Sequence, residues 1–509
     1  AINASVKIRS WSQPYLYFVI SKIIMFFNIN NFFNITFILK LFSSLLGWVS
    51  ILLFYQNTKK DFKNNYAKEL YLILIFLFWF YPLLHSRTSA ENLSITFMLL
   101  AVSSYLYFKL KLNFWNISLI ALFFSLSFIF RDNIIFCILF FYIWFIIFEK
   151  INLNKKFLFI LYSLFIGIII LFIELLINIW GFDNNININK IFNIHYIIKQ
   201  SPFIQFLYYF SGNNYYSGSS WSEHNYWDYI TLIILKFFPP ISLLILISLI
   251  YFTFKNIRSL LVWLIIPYFL VHSYISHKEL RYIFPILFFS PYLICYFIDN
   301  IRIDIKLKKI FIYSLIFLNF IPLIYYSFSS LKPELNVLKK IYNSNYKELI
   351  YLNSDKTIKS YESINPFEID NITDNYYFKF TDVELINLKN KELIRIGSCK
   401  SNNFARGLCV KNKYDFRKED YYILHYTRKN KLNFKIKFIN YYNNFDYKSI
   451  LNFNSKEKII LTKDLSVILN LNKNKRCKAL ISAKPLWVSK ISINNINKRI
   501  ENLSLFKCN

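Results

Sequence analysis

The sequence predicts an all-α polytopic membrane protein of about ten crossings, followed by a small α+β extramembrane domain. Three observations carry this. Of 509 residues, 55% are hydrophobic, with 56 Phe and 39 Tyr, and they come in blocks that a soluble chain rarely holds. Lys and Arg fill every second loop between the blocks. Past residue 328 no apolar run is long enough to span. The expected domains are therefore 1–328, in the membrane, and 329–509, outside it.

The apolar segments fall near 14–28, 36–55, 70–85, 93–108, 115–130, 134–148, 157–180, 229–253, 259–275, 283–299 and 310–328. Several approach the ~20 residues that a spanning helix needs. Lys59, Lys60, Lys63 and Lys68 occupy one loop. Lys109 and Lys111, then Lys150, Lys155 and Lys156, then Lys255 and Arg258, then Arg302, Lys306, Lys308 and Lys309 occupy alternate loops after it. The positive-inside rule makes these cytoplasmic. Arg87, Arg131, the long 181–228 segment and His277–Arg281 then share the opposite face. If residues 1–13 start there too, only one of the first two segments crosses, and 14–28 lies in the interface or re-enters. Beyond 329, Tyr421–Tyr426 and Lys458–Leu461 read as strands or short helices. The loop count puts this domain on the His277 face.

The net charge of +31 invites a nucleic-acid reading. No basic stripe with interleaved aromatics supports it, and the Lys, Asn, Ile, Phe and Tyr excess reads as an AT-rich genome. Of six cysteines, Cys137 and Cys295 lie in apolar segments. Cys399, Cys409, Cys477 and Cys508 form two disulfides in an oxidising compartment, Cys399–Cys409 being the nearest pair, or remain four thiols. No Cys/His spacing points to zinc or another metal. Residue 1 is Ala and no signal peptide precedes the first block, so a preceding segment is expected.

The most informative stretch is 272–285, where His272, His277, Lys278, Glu279 and Arg281 stand between two apolar runs. Charge at a membrane boundary is costly and marks function by default. His277, Lys278 and Arg281 suit an anion, with Glu279 pairing one of them. If the segment is helical, His277 and Arg281 share a face. A basic turn whose cations snorkel to the interface remains the alternative.

His277-Lys278-Glu279-Leu280-Arg281-Tyr282, closed by Pro285, resembles the signature of glycosyltransferase family 22. That family holds the dolichyl-phosphate-mannose-dependent mannosyltransferases of GPI-anchor and N-glycan assembly, with bacterial relatives. Further positions match it in order. Arg87, in His85-Ser86-Arg87-Thr88-Ser89-Ala90-Glu91-Asn92, is similar to the family's Arg element after the third or fourth segment. It suits a grip on diphosphate or sugar, or a helix N-cap with a snorkelling Arg. Arg131 stands where the family has Arg-Pro-Thr, although Asp132 and Asn133 follow it here. An exposed Arg131–Asp132 turn is the other reading. Trp221, Trp227 and Asp228 match an aromatic patch loosely and equally suit an interfacial belt. Arg9-Ser10-Trp11, with Pro14, resembles the element that follows the family's acidic pair.

The resemblance implies a GT-C-like architecture over residues 8 to about 328. It implies a polyprenyl- or dolichyl-phosphate-mannose donor, a lipid-linked glycan or GPI-precursor acceptor, an α-linked product and no cofactor. His277, Lys278, Glu279, Arg281, Arg87, Arg131 and Arg9 are the expected substrate-binding residues. No acid precedes Ile8, so the catalytic base is expected on a preceding segment. Glu223, Asp228 and Asp132 lie on the right face without motif support. The location is the endoplasmic reticulum membrane in a eukaryote, or the inner membrane in a bacterium. The rival reading is a transporter or lipid flippase. Such proteins more often show inverted repeats and Gly- or Pro-broken helices at mid-membrane.

Overall fold

The computed structural model describes residues 10–29, 31–183, 225–275, 278–328, 334–342, 344, 348–353, 383–387, 392–396, 435–440, 458–462, 468, 471–473, 477–482 and 504–508. The chain divides into two units, 1–324 and 325–509.

The first unit is helical. Its helices are α1 (Ser12–Phe26), α2 (Phe32–Thr58), α3 (Asn65–Leu77), α4 (Tyr81–His85), α5 (Ala90–Phe108), α6 (Phe114–Phe130), α7 (Ile135–Phe148) and α8 (Leu153–Asp183). After the 184–224 segment come α9 (Asp228–Lys236), α10 (Pro239–Lys255), α11 (Leu260–Tyr274), α12 (Phe284–Leu287), α13 (Ser290–Asn300) and α14 (Ile305–Phe328). Four stretches among the described residues are long and apolar enough to cross a membrane: Phe33–Asp61, Asn65–His85, Leu153–Gly181 and Ile305–Phe328. A fifth is the pair Leu280–Leu287 and Ser290–Asn300, bent by 48°. Phe114–Phe130, Asp132–Phe148, Pro239–Lys255 and Leu260–Tyr274 are shorter apolar helices. The unit is a polytopic membrane domain.

Helix α1 has 15 residues, about 22 Å of rise, short of a crossing. Asn28 turns the chain into α2 with φ 61°, a conformation Asn tolerates better than most residues. The Tyr17 hydroxyl meets Ser43 Oγ at 2.6 Å, and Tyr17 packs with Leu93 and Phe130. So α1 is held beside the start of α5 and the end of α6.

Backbone breaks inside the membrane need polar partners. The α3–α4 break has one in fully buried Asn319 of α14. Its Oδ1 accepts from Trp79 N at 3.0 Å, and its Nδ2 donates to Leu77 O at 2.8 Å. Helix α2 approaches α4 at Gly47, where a Cβ would overlap the His85 ring. Gly47→Ala should therefore cost about 1–3 kcal/mol by overpacking. A thermal unfolding series in detergent should show this as a lowered midpoint; an unchanged midpoint would contradict the packing.

The basic loops meet at one end. Asp299 accepts from Lys63 N at 2.8 Å and Asn64 Nδ2 at 2.6 Å. Lys308 Nζ reaches Tyr66 Oη at 3.2 Å, and Tyr296 Oη reaches Asn256 at 3.2 Å. Trp144 Nε1 donates to Arg258 O at 2.8 Å, and Tyr105 bonds Glu149. Helices that start from this common end finish at different depths. At 17 and 15 residues, α6 and α11 rise about 26 and 22 Å, less than the ~30 Å hydrocarbon core. At 31 residues α8 rises about 46 Å. The far ends of α6 and α11 thus lie recessed below longer neighbours. Cysteine at exposed Asn225 should label from the non-cytoplasmic side and cysteine at exposed Lys60 from the cytosol. Labelling of both from one side would break this topology.

In the second unit, α15 (Glu334–Tyr342) precedes β1 (Glu348–Asn353), β2 (Val383–Asn387), β3 (Glu392–Ile396), β4 (Lys435–Asn440), β5 (Lys458–Thr462), β6 (Cys477–Ser482) and β7 (Ser504–Cys508). They form one sheet in the order β3-β2-β4-β1-β5-β7-β6. Its centre, β2-β4-β1-β5, is parallel, and β3, β7 and β6 add antiparallel edges. The expected strand at 458–461 is β5, whereas Tyr421–Tyr426 lies outside the described residues. Cys477 and Cys508 stand opposite each other in register and are disulfide-bonded. That bond excludes four free thiols; Cys399 and Cys409 lie outside the described residues. Cys137 and Cys295 are buried and free.

Candidate functional site

The site begins at the loop before α5. Ser89 accepts from Asn92 N at 3.3 Å and starts the helix, which places Glu91 in its first turn. An acid is favoured there by the helix dipole. Fully buried Asn92 gathers the loop around itself. Its Oδ1 meets His85 Nδ1 at 3.1 Å, and its Nδ2 donates to His85 O at 3.2 Å and Arg87 O at 2.9 Å. From α1, Gln13 Nε2 donates to Thr88 O at 2.7 Å. The Arg87 backbone is thereby fixed. Burial lowers the pKa of its guanidinium, and nearby Glu91 opposes that. The capping and ligand readings of this loop are compatible: Ser89 caps, while Arg87 stands beside Glu91.

Two distant arginines converge on the same carboxylate. Arg131 Nη2 and Arg281 Nη1 each lie 3.7 Å from Glu91 Oε1. Tyr282 lies under both guanidinium groups, 5.4 Å from Arg131 and 5.6 Å from Arg281. Arg281 also pairs with Glu279. At 3.7 Å the Glu91 contacts are longer than the 2.7–2.9 Å of a charge-assisted hydrogen bond. Arg281 is 40% exposed, against 16% for Arg131. The cluster therefore mixes planar donors suited to phosphate with carboxylates suited to hydroxyls.

Short helices position these groups. Arg131 ends α6, and Asp132–Ile134 turns the chain into α7. Burial raises the Asp132 carboxyl above the ordinary range, against the pull of Arg131. So this turn is recessed rather than an exposed Arg131–Asp132 pair. Asn133 Nδ2 lies 3.4 Å from His272 Nε2, and His272 Nδ1 lies 3.0 Å from Tyr268 O. The Tyr268 hydroxyl donates to Tyr282 O at 2.6 Å. Hence α7 and α11 set the depth of the Arg281 turn.

The 272–285 stretch differs from a single helix. Glu279 is extended, with φ −126° and ψ 139°, and a 3-10 turn runs from Leu280 to Ile283. The four-residue spacing of His277 and Arg281 therefore does not put them on one helix face. His277 and Arg9 lie outside the described residues. Lys278 is buried at 4% exposure, and its Nζ donates to Ser273 O at 2.8 Å and Ile275 O at 2.6 Å. It closes the last turn of α11, a common place for a Lys. Its ammonium also lies over Tyr229 at 5.5 Å. Burial lowers its pKa, opposed by Asp228. Asp228 Oδ2 accepts from Asn225 N at 2.9 Å at the start of α9. Trp221, Glu223 and His224 lie outside the described residues.

The structure thus brings Arg87, Arg131, Glu279 and Arg281 together around Glu91, and sets Lys278 beside them as a helix closure. Glu91 was not singled out from the sequence, although it lies within a quoted motif. Its available signal was an acid in the first turn of a helix. Among the described residues no group of three or more His, Cys, Asp or Glu could hold a metal ion. An apolar cleft lies next to the Arg281 turn, lined by Ile233, Ile245, Phe269, Ile283, Ile286 and Leu293.

No protein-family profile matches the chain. No curated protein matches it in sequence. Among solved structures it is similar to ArnT from Cupriavidus metallidurans bound to undecaprenyl phosphate, with TM-score 0.40 and 7% identity, covering 98% of this chain and 88% of that one. The apo form of the same protein gives TM-score 0.36 and 7% identity, covering 92% and 83%. At these scores the likeness carries no inference about this chain.

Proposed function

We propose that the chain is a membrane glycosyltransferase that uses a polyprenyl-phosphate-linked sugar on the non-cytoplasmic face. The observation that carries this is Arg131 and Arg281, far apart in sequence, meeting on Glu91 at the recessed end of the membrane unit. Glycosyl transfer from a lipid phosphate develops negative charge on the leaving phosphate. Preorganised guanidinium groups stabilise that charge. Glu91 and Glu279 hold the arginines in place and offer acceptors to sugar hydroxyls.

Mannose as the sugar rests on the resemblance of His277–Tyr282 and Pro285 to family 22. An in-line attack on a β-linked donor gives an α-linked product. The acceptor is a lipid-linked glycan or a GPI precursor. The Cys477–Cys508 bond of the C-terminal unit favours an oxidising compartment. That is the lumen of the endoplasmic reticulum, or the outer side of a bacterial inner membrane. The transporter reading is disfavoured because the charged groups gather at one membrane end, not the midplane.

Donor choice tests the proposal. The full-length protein is reconstituted with extracted source-membrane lipids as acceptor and offered radiolabelled polyprenyl-phosphate mannose or GDP-mannose. Label should enter lipid-linked product from the polyprenyl donor alone. Incorporation from the nucleotide sugar would overturn the assignment.

A further inference from the structure

Glu174 lies on α8, nine positions before the helix ends, and is 1% exposed. A lone acid within an apolar spanning helix is a functional-site candidate by default. Its Oε2 has no hydrogen-bond partner, and the neighbours of the carboxyl are Ser10 and Asn178. Among the described residues no cation stands beside it.

Two routes connect Glu174 to the arginine cluster. Glu174, Asn178 and Gly181 share one face of α8 at helical spacing. Against that face lies the start of α1. Trp11 N donates to Asn178 Oδ1 at 2.8 Å, and the Trp11 indole occupies the space of a Gly181 Cβ. Two residues on, Gln13 binds the Thr88 carbonyl beside Arg87. On the other side, Glu174 is close enough to Asp132 to interact electrostatically, and Asp132 follows Arg131. Glu174 is thus linked through α1 to the loop that holds Arg87.

The other described acids at this end are differently placed. Glu91 and Glu279 sit on guanidinium groups, Asp132 beside Arg131, and Asp228 near Lys278. A carboxylate held by a cation is a weak proton acceptor. Among the described residues Glu174 has hydroxyl and amide neighbours besides Asp132.

We infer that Glu174 is the general base of the transfer reaction, which makes this role rest on the proposed function. The acceptor hydroxyl oxygen bonds to the anomeric carbon of the donor sugar. The bond from that carbon to the phosphate oxygen breaks, and its electron pair leaves with the polyprenyl phosphate. The hydroxyl proton passes to Glu174 Oε2 and is released to water when product departs. This assignment differs from the sequence expectation of an acid on a preceding segment.

The test uses full-length protein in vesicles, with polyprenyl-phosphate mannose as donor and source-membrane lipids as acceptor. Glu174→Gln should lower transfer by about 10²–10⁴-fold while binding of undecaprenyl phosphate is unchanged. Glu174→Asp keeps a carboxylate and should retain part of the transfer. Near-normal transfer by Glu174→Gln overturns the role and leaves the reaction standing. Equal loss in both variants, with insertion and binding intact, makes Glu174 a packing residue and also overturns it. Absence of transfer and of lipid-phosphate binding in the unmodified protein overturns the reaction, and this role with it.

Discussion

Arg131→Ala and Arg281→Ala should each lower mannose transfer by about 30- to 1,000-fold while the protein still inserts. The range follows from losing one electrostatic contact to a developing phosphate charge, about 2–4 kcal/mol of barrier. Arg131 should show the larger effect, because its side chain is 16% exposed against 40% for Arg281. Water screens the more exposed group and shares its work. Lysine at either position should recover little, since a point charge replaces a planar fork. Transfer rates in vesicles, normalised to inserted protein, measure this. Near-normal rates for both alanine variants would remove the arginines from the chemistry.

Glu91→Gln should harm both stability and transfer. The substitution keeps the shape and removes the charge shared by Arg131 and Arg281. Breaking a fully buried ion pair costs roughly 3–5 kcal/mol, and the partial exposure of all three side chains puts this site below that. Transfer should fall by about 100-fold, because displaced guanidinium groups no longer meet the phosphate. Thermal unfolding in detergent and the same transfer assay report the two effects separately. A stable, fully active Glu91→Gln protein would mean that Glu91 does not organise the cluster.

Much of this was legible in the sequence for identifiable reasons. Apolar blocks mark helices because the bilayer leaves the backbone few alternatives. Alternating Lys-rich loops marked one end, and the contacts of Asp299, Tyr66 and Trp144 tie those loops together. What stayed hidden depends on long-range contact. Glu91 gathers partners from two other loops, and no local pattern reveals that. Asn319 filling the α3–α4 break is hidden likewise, since Asn in an apolar run does not name its partner. The 272–285 stretch has charges at helical spacing, yet Lys278 bonds the carbonyls that end α11, and extended Glu279 follows. In the second unit, β1 pairs with β4 and β5 in parallel across long connections, which a local strand pattern cannot encode.

The central claim is that the recessed cluster cleaves a sugar from a lipid phosphate rather than moving a lipid. The most direct measurement follows polyprenyl-phosphate mannose in sealed vesicles holding the full-length protein and source-membrane acceptor lipids. Free polyprenyl phosphate and mannosylated acceptor are quantified together. They should appear in equal amounts, with both signals lost in Arg131→Ala. Movement of intact donor between leaflets, with neither product formed, would contradict the account and favour a flippase.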